Sequence, residues 1–165
     1  MGSDSLTHVD DRGHARMVDV SAKQVTRRRA EAEGHIAMAE ATLRAVLENT
    51  VRKGDVLAVA RLAAVGGVKR TADLIPLCHP LTVDGIDVAV ETNPDLPGIR
   101  VSVAVTTEGR TGVEMEALCG VSAGLLAVYD MCKALDRGME IGAVRLLSKT
   151  GGASGDWNRT HGSDR

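Results

Sequence analysis

A chain of 165 residues with 44% apolar residues can bury one full core, and a net charge of −2 leaves no electrostatic footprint for nucleic acid or an anionic membrane surface. Aromatics make up 1% and Phe is absent, so the core must be Val, Leu, Ile, Ala and Met, and stacking platforms for single strands are excluded. Cys78, Cys119 and Cys132, odd in number and unpaired in spacing, read as thiols of a reducing compartment. Arg61 and Arg145 break the longest apolar runs and no signal peptide is visible, so the expectation is a cytoplasmic protein without a membrane span.

Residues 1–13 are polar and are expected to be mobile. His14–Ser21 reads as a short strand or an extended arm. Arg27–Met38 alternates: Ala30, Ala32, Gly34, Ile36 and Met38 are small or apolar, while Arg29, Glu31, Glu33 and His35 are polar. That period of two predicts a half-buried strand, with Arg28 facing inward and needing an anionic partner or an open cleft. Helices are predicted over Ala39–Val51 and Val56–Val65, the second capped by Asp55 and interrupted by Gly66-Gly67. A short helix over Val68–Leu74 leads into an irregular stretch enclosed by Pro76 and Pro80.

Val83–Thr92 and Ile99–Thr107 alternate around the turn cluster at 93–98 and form a hairpin. Gly112–Asp136 is the longest predicted helix, with Met115, Leu118, Val121, Leu125, Val128, Cys132 and Leu135 as its apolar face. Met139–Ser148 is the last strand, and the Gly- and Ser-rich Lys149–Arg165 reads as a flexible tail with Trp157 as an anchor. The expected division is a mobile segment 1–13, one domain over 14–156 and a mobile tail 157–165. The order β-α-β-β-α-β predicts an α+β, ferredoxin-like subunit with helices on one face of an antiparallel sheet. The other face must be covered or polar; the even side of the first strand and the Val-rich hairpin are expected to leave apolar residues there, and an oligomer that buries sheet or helix surface is expected.

The longest helix carries polar groups at both ends: Glu114 and Glu116 at the start, Asp130 and Lys133 near the close. The plain reading is dipole complementation and a surface ion pair. Glu116, Asp130 and Lys133 nevertheless project within roughly a 100° arc, while Glu116 and Asp130 stand about 21 Å apart along the axis. A single small-molecule site on one helix cannot use both ends, so either the clusters are unrelated or a two-fold contact brings them together. Lys53, on a Gly-loosened loop before a helix, is a candidate anion-binding cation. His79 is held between prolines, and Cys78-His79 does not match metal-ligand spacings. Lys149-Thr150-Gly151-Gly152 has the composition of a phosphate-cradling loop but not the P-loop order. Together the cations Arg28, Lys53, Lys69, Arg70, Lys133 and Lys149, the carboxylates and His79 suit a polyanionic organic substrate and proton transfer.

Leu74–Leu81 (LIPLCHPL), Gly112–Leu118 (GVEMEAL) and Tyr129–Ala134 (YDMCKA) resemble the molybdenum cofactor biosynthesis protein C family, the cyclic pyranopterin monophosphate synthases. MVDVS at Met17–Ser21, KGDV at Lys53–Val56, KRT at Lys69–Thr71 and VRLL at Val144–Leu147 add to the match, which spans about Leu6 to Asp156. The resemblance implies a ferredoxin-like subunit in a hexamer built as a trimer of dimers, with sites at the dimer interface. It implies conversion of 3′,8-cyclo-7,8-dihydro-GTP to cyclic pyranopterin monophosphate with release of pyrophosphate, no cofactor or metal, and an upstream radical S-adenosylmethionine enzyme as pathway partner. It makes Lys53, Asp130 and Lys133 the catalytic set, and Arg28, Lys69, Cys78, His79, Glu114, Met115, Glu116 and Lys149 substrate-binding. The family tail reads K-S-G-G-K-S-G; here Thr150 and Ala153 replace the Ser and the second Lys, so position 153 offers no cation. The competing expectations are a non-catalytic ligand-binding module of the same fold and a paralogue that binds the nucleotide without turning it over.

Overall fold

The computed structural model describes residues 14–93 and 97–160. The segment 1–13, half of the turn cluster at 93–98 and the end of the tail therefore lie outside the described residues. The elements are β1 (Thr26–Ala37), α1 (Glu40–Leu47), α2 (Val56–Lys69), α3 (Thr71–Leu74), β2 (Gly85–Thr92), β3 (Gly98–Gly109), α4 (Glu114–Cys132), β4 (Glu140–Thr150) and β5 (Trp157–Asn158). Among the described residues five strands form one antiparallel sheet in the order β2-β3-β1-β4-β5. This is the predicted α+β, ferredoxin-like arrangement with one added edge strand. The arm before β1 is irregular through most of its length.

Alternation does what the sequence predicts. Ala30, Ala32 and Ile36 of β1 and Ile99, Val101, Val103 and Val105 of β3 are buried on the face that α4 covers, with α2 lying over β2. The same fact overturns one expectation. The apolar residues assigned to the far sheet face all point to the helices, and the far face carries charges instead. Arg29 pairs with Glu31 and Asp87, Arg100 with Glu91, and Arg145 with Glu33 at 2.9 Å. Period-two patterning fixes which residues share a face, but one hydrophobic set covers only one face.

α2 does not stop at Gly66-Gly67. It continues to Lys69, with Asp55 capping its start through Ala58 N at 2.9 Å. A Cβ on Gly67 would lie 2.6 Å from Ala123 Cβ and 2.6 Å from the Cys119 carbonyl oxygen, so Gly67 is where α2 meets α4 at backbone distance. Gly120 and Gly124 answer it from α4, facing Val68 and the carbonyls of Ala64 and Ala60. Tertiary packing here outweighs the poor helix propensity of glycine.

The buried side of α4 is accordingly wider than its large apolar residues indicate. It includes Ala117, Gly120 and Gly124 with Val121, Leu125, Val128 and Cys132, whereas Met115 and Leu135 are exposed. The helix also has the length and apolarity of a membrane span, contrary to the expectation drawn from runs broken by arginine. Half of that stretch is buried within this fold, between α2 and β1, β3 and β4. The tail differs from expectation too. Lys149 and Thr150 complete β4, and Trp157–Asn158 pair with Lys149 and Ser148.

Candidate functional site

α4 sets the site geometry, and the antiparallel partner α2 brings its flanking loops to the same two ends. At the C-terminal end, Val51 anchors the loop between α1 and α2, and Gly54, at φ +101°, turns it. This carries Lys53 to the last turn of α4, where Nζ donates to Asp130 Oδ2 at 2.8 Å and to the Asp130 carbonyl at 2.7 Å. A cation on the terminal carbonyls also suits the helix dipole. Lys133, the C-cap residue, donates to the other oxygen, Oδ1, at 2.7 Å. Asp130 is therefore held between two ammonium groups. Lys133 first and Lys53 second lower its carboxyl to about 2, and Asp130 in turn raises Lys133 above its ordinary value. All three side chains are solvent-exposed.

The N-terminal end is a cleft of ≈350 Å³ lined by Lys23, Cys78, His79, Glu114, Met115 and Glu116 among others. The carboxylate of Glu114 folds back into the space that a Cβ on Gly112 would occupy. Glu116 is only 4% exposed, and burial pushes its carboxyl up, with the Glu114 charge adding to the effect and a hydrogen bond to its own backbone opposing it. Burial likewise raises the Cys78 thiol, helped by Glu116. Glu114 faces Lys149, Nζ to Oε1 being 3.4 Å, and Lys149 Nζ also donates to Ser154 Oγ at 2.8 Å. Arg28 stands beside this group. Its Nε donates to the Gly109 carbonyl at 2.9 Å and Nη2 to the Arg110 carbonyl at 3.2 Å, and its guanidinium rests on Gly152. The inward arginine thus finds backbone carbonyls where an anionic partner or an open cleft was expected.

The structure brings Lys53, Asp130 and Lys133 together, and separately Cys78, His79, Glu114, Met115, Glu116 and Lys149, with Arg28 adjoining the second set. Lys69 is exposed at the last residue of α2, the end that packs near Cys119 of α4. The two sets stay at opposite ends of α4, about 21 Å apart from Glu116 to Asp130. Sequence reasoning missed Lys23, Val18 and Val20, which line the cleft from the arm, and Thr111. The arm has no periodicity to betray which side faces inward; the MVDVS match was the only signal. Among the described residues no group of three or more His, Cys, Asp or Glu is arranged to hold a metal ion.

The fold and site define a ferredoxin-like α+β subunit with a carboxylate clamped by lysines at one end of its central helix and an acid-lined cleft at the other. The chain belongs to the MoaC family, whose model matches residues 17–152. It is similar to the cyclic pyranopterin monophosphate synthase of Rhodospirillum rubrum, with 55% identity over 155 residues that cover 94% of this chain and 93% of that protein.

Proposed function

We propose that this protein is a cyclic pyranopterin monophosphate synthase of molybdenum cofactor biosynthesis, converting 3′,8-cyclo-7,8-dihydro-GTP to the cyclic monophosphate with release of pyrophosphate. The observation that carries the reading is the 55% identity to the Rhodospirillum rubrum synthase over nearly the whole of both chains. The chemistry of the two helix ends is in keeping with it. Opening the imidazole ring and building a pterin requires protons delivered to and removed from nitrogen and oxygen, which is work for Lys53 and Lys133 as donor and acceptor, with Asp130 orienting both. Asp130 raises Lys133 and so keeps it in the ammonium form at neutral pH, the form from which a donor starts. Closing the cyclic phosphate develops charge on phosphoryl oxygens, which Lys149, Lys69 and Arg28 would stabilise. Cys78, His79, Met115, Glu114 and Glu116 would hold the base.

In this reading the active site is shared between subunits. One chain keeps the two ends of α4 far apart, and a two-fold partner laid antiparallel would bring its Asp130 end to this chain's cleft. The outer surface of the helix layer favours such a contact, since Leu62 of α2 and Leu126 of α4 are 73% and 60% exposed. We place this dimer in a hexamer, in the cytoplasm, downstream of a radical S-adenosylmethionine enzyme that forms the substrate. The test is a turnover assay on the cyclised intermediate, following pyrophosphate and the oxidised fluorescent pterin together. Wild type should yield both in step. Asp130→Ala should lose turnover while keeping its oligomeric state, and activity within a few-fold of wild type would refute the assignment.

A further inference from the structure

The Gly-rich stretch after β4 is built as a closed hairpin, and its parts converge on one atom. β4 runs to Thr150, Gly151 and Gly152 turn it at φ +85° and +82°, and β5 returns alongside. Neither glycine can be replaced without collision: a Cβ on Gly151 meets the Arg27 carbonyl and one on Gly152 meets the Arg28 guanidinium. Asp156 closes the turn by accepting from Gly151 N at 3.0 Å. Arg159 latches the returning strand. Its backbone N donates to the Leu147 carbonyl at 2.8 Å, its Nε donates to the Leu146 carbonyl at 2.9 Å, and its guanidinium lies 5.9 Å from the Trp157 ring centroid. This closure sets Ser154 against Lys149, 2.8 Å from Nζ, on the side that leaves the ammonium 3.4 Å from Glu114.

We propose that Ser154 and Arg159 are positioning residues: Arg159 holds β5 on β4, so that the Ser154 hydroxyl fixes the Lys149 ammonium at the mouth of the Glu114 cleft, poised for a polyphosphate oxygen. The inference rests on the reading of Lys149 as a phosphate-holding cation. A lysine side chain has several rotatable bonds, and an ammonium already aimed loses less freedom when an anion arrives. Ser154 supplies that aim without adding charge. The chain lacks a cation at position 153, which leaves Lys149 as the one lysine this hairpin presents.

The test is a double-mutant cycle with two readouts: binding of inorganic tripolyphosphate by calorimetry, and steady-state turnover of the cyclised GTP intermediate. Ser154→Ala should weaken tripolyphosphate binding and raise KM about three- to tenfold with kcat nearly unchanged, the scale of one ordinary hydrogen bond at an exposed position. Ser154→Thr, which keeps the hydroxyl, should recover most of the loss. Arg159→Ala should behave like Ser154→Ala. In the Lys149→Ala background, Ser154→Ala should add nothing, because it acts only through that ammonium. Additive losses in the double variant, or Ser154→Ala binding as tightly as wild type, would overturn the proposal. If wild type binds tripolyphosphate and the cycle is non-additive but no pterin forms, the positioning role stands and the synthase reading falls.

Discussion

Adjacent glycines in α2 give opposite predictions for the same substitution. At Gly67 an alanine Cβ would sit 2.6 Å from both Ala123 Cβ and the Cys119 carbonyl oxygen. Ordinary carbon contacts are about 3.5–4.0 Å, so α2 and α4 would have to part by roughly 1 Å. They cannot part freely, because Ala60 and Ala64 on α2 face α4 and, like Val121 and Leu125 of α4, are fully buried. Overpacking of this kind costs about 2–3 kcal/mol when backbone is the obstacle. The gain in helix propensity returns about 1 kcal/mol. Gly67→Ala should therefore lose ~1–2 kcal/mol, a fall in Tm of about 2–8 °C for a chain of this size. At Gly66 the added Cβ meets nothing within 4 Å, so only the propensity term remains. Gly66→Ala should raise Tm by about 1–4 °C. Thermal unfolding followed by circular dichroism at one protein concentration decides the matter. If the two variants shift in the same direction, or Gly67→Ala melts no lower than wild type, the close-contact account of α2 and α4 is wrong.

Three further outcomes follow from the titrating groups and one backbone conformation. Asp130 is depressed to about 2, so its contribution is complete above the unfolded carboxyl value and lost as pH falls through about 2. Lys133 is raised, so its contribution holds below the unfolded lysine value and fades only above it. Asp130 and Lys133 should thus both stay charged from about pH 5 to 9. An NMR titration of the Asp130 carboxyl carbon with a midpoint above pH 4 would contradict this. Glu116 has the opposite sign: its raised carboxyl favours the fold while protonated, and that benefit is lost as pH rises through the folded value. Glu116→Gln should melt above wild type by a margin that grows from pH 4 to pH 8, and a constant margin would exclude buried charge as the cause. Asn49 follows α1 at φ 53°, a conformation in which Asn is tolerated and Ala is strained. Asn49→Ala should cost about 1 kcal/mol in urea unfolding, and no change would mean that the turn relaxes.

The elements whose burial alternates were legible in the sequence. β1, β2 and β3 follow period two to within a residue or two of their ends, because one face is packed and the other wet. Asp55 was readable as a cap because a carboxylate before an apolar helix has one common use. The unreadable parts are those decided by distant contact. Gly66-Gly67 looks like a break until Cys119 is seen behind Gly67. The tail looks like a linker until Arg159 is seen on the carbonyls of β4. Lys53, Asp130 and Lys133 could be named from the family motifs, and their meeting on one carboxylate is consistent with that reading. Lys23 carried no comparable mark, since its place at the cleft depends on the path of an irregular arm.

The scarcity of aromatics gives the β5 latch a second significance. Trp157 is the only tryptophan in the chain, and it sits in β5, exposed, paired with Lys149 and beneath the guanidinium of Arg159. Its emission is therefore a built-in gauge of whether the hairpin is docked, and is nearly blind to the Val and Ala interior. Melting of the hairpin and melting of the core can be told apart in unlabelled protein, one by fluorescence and the other by helix signal. A fluorescence transition that precedes the loss of helix would mark the β4–β5 hairpin as the first part of the molecule to let go.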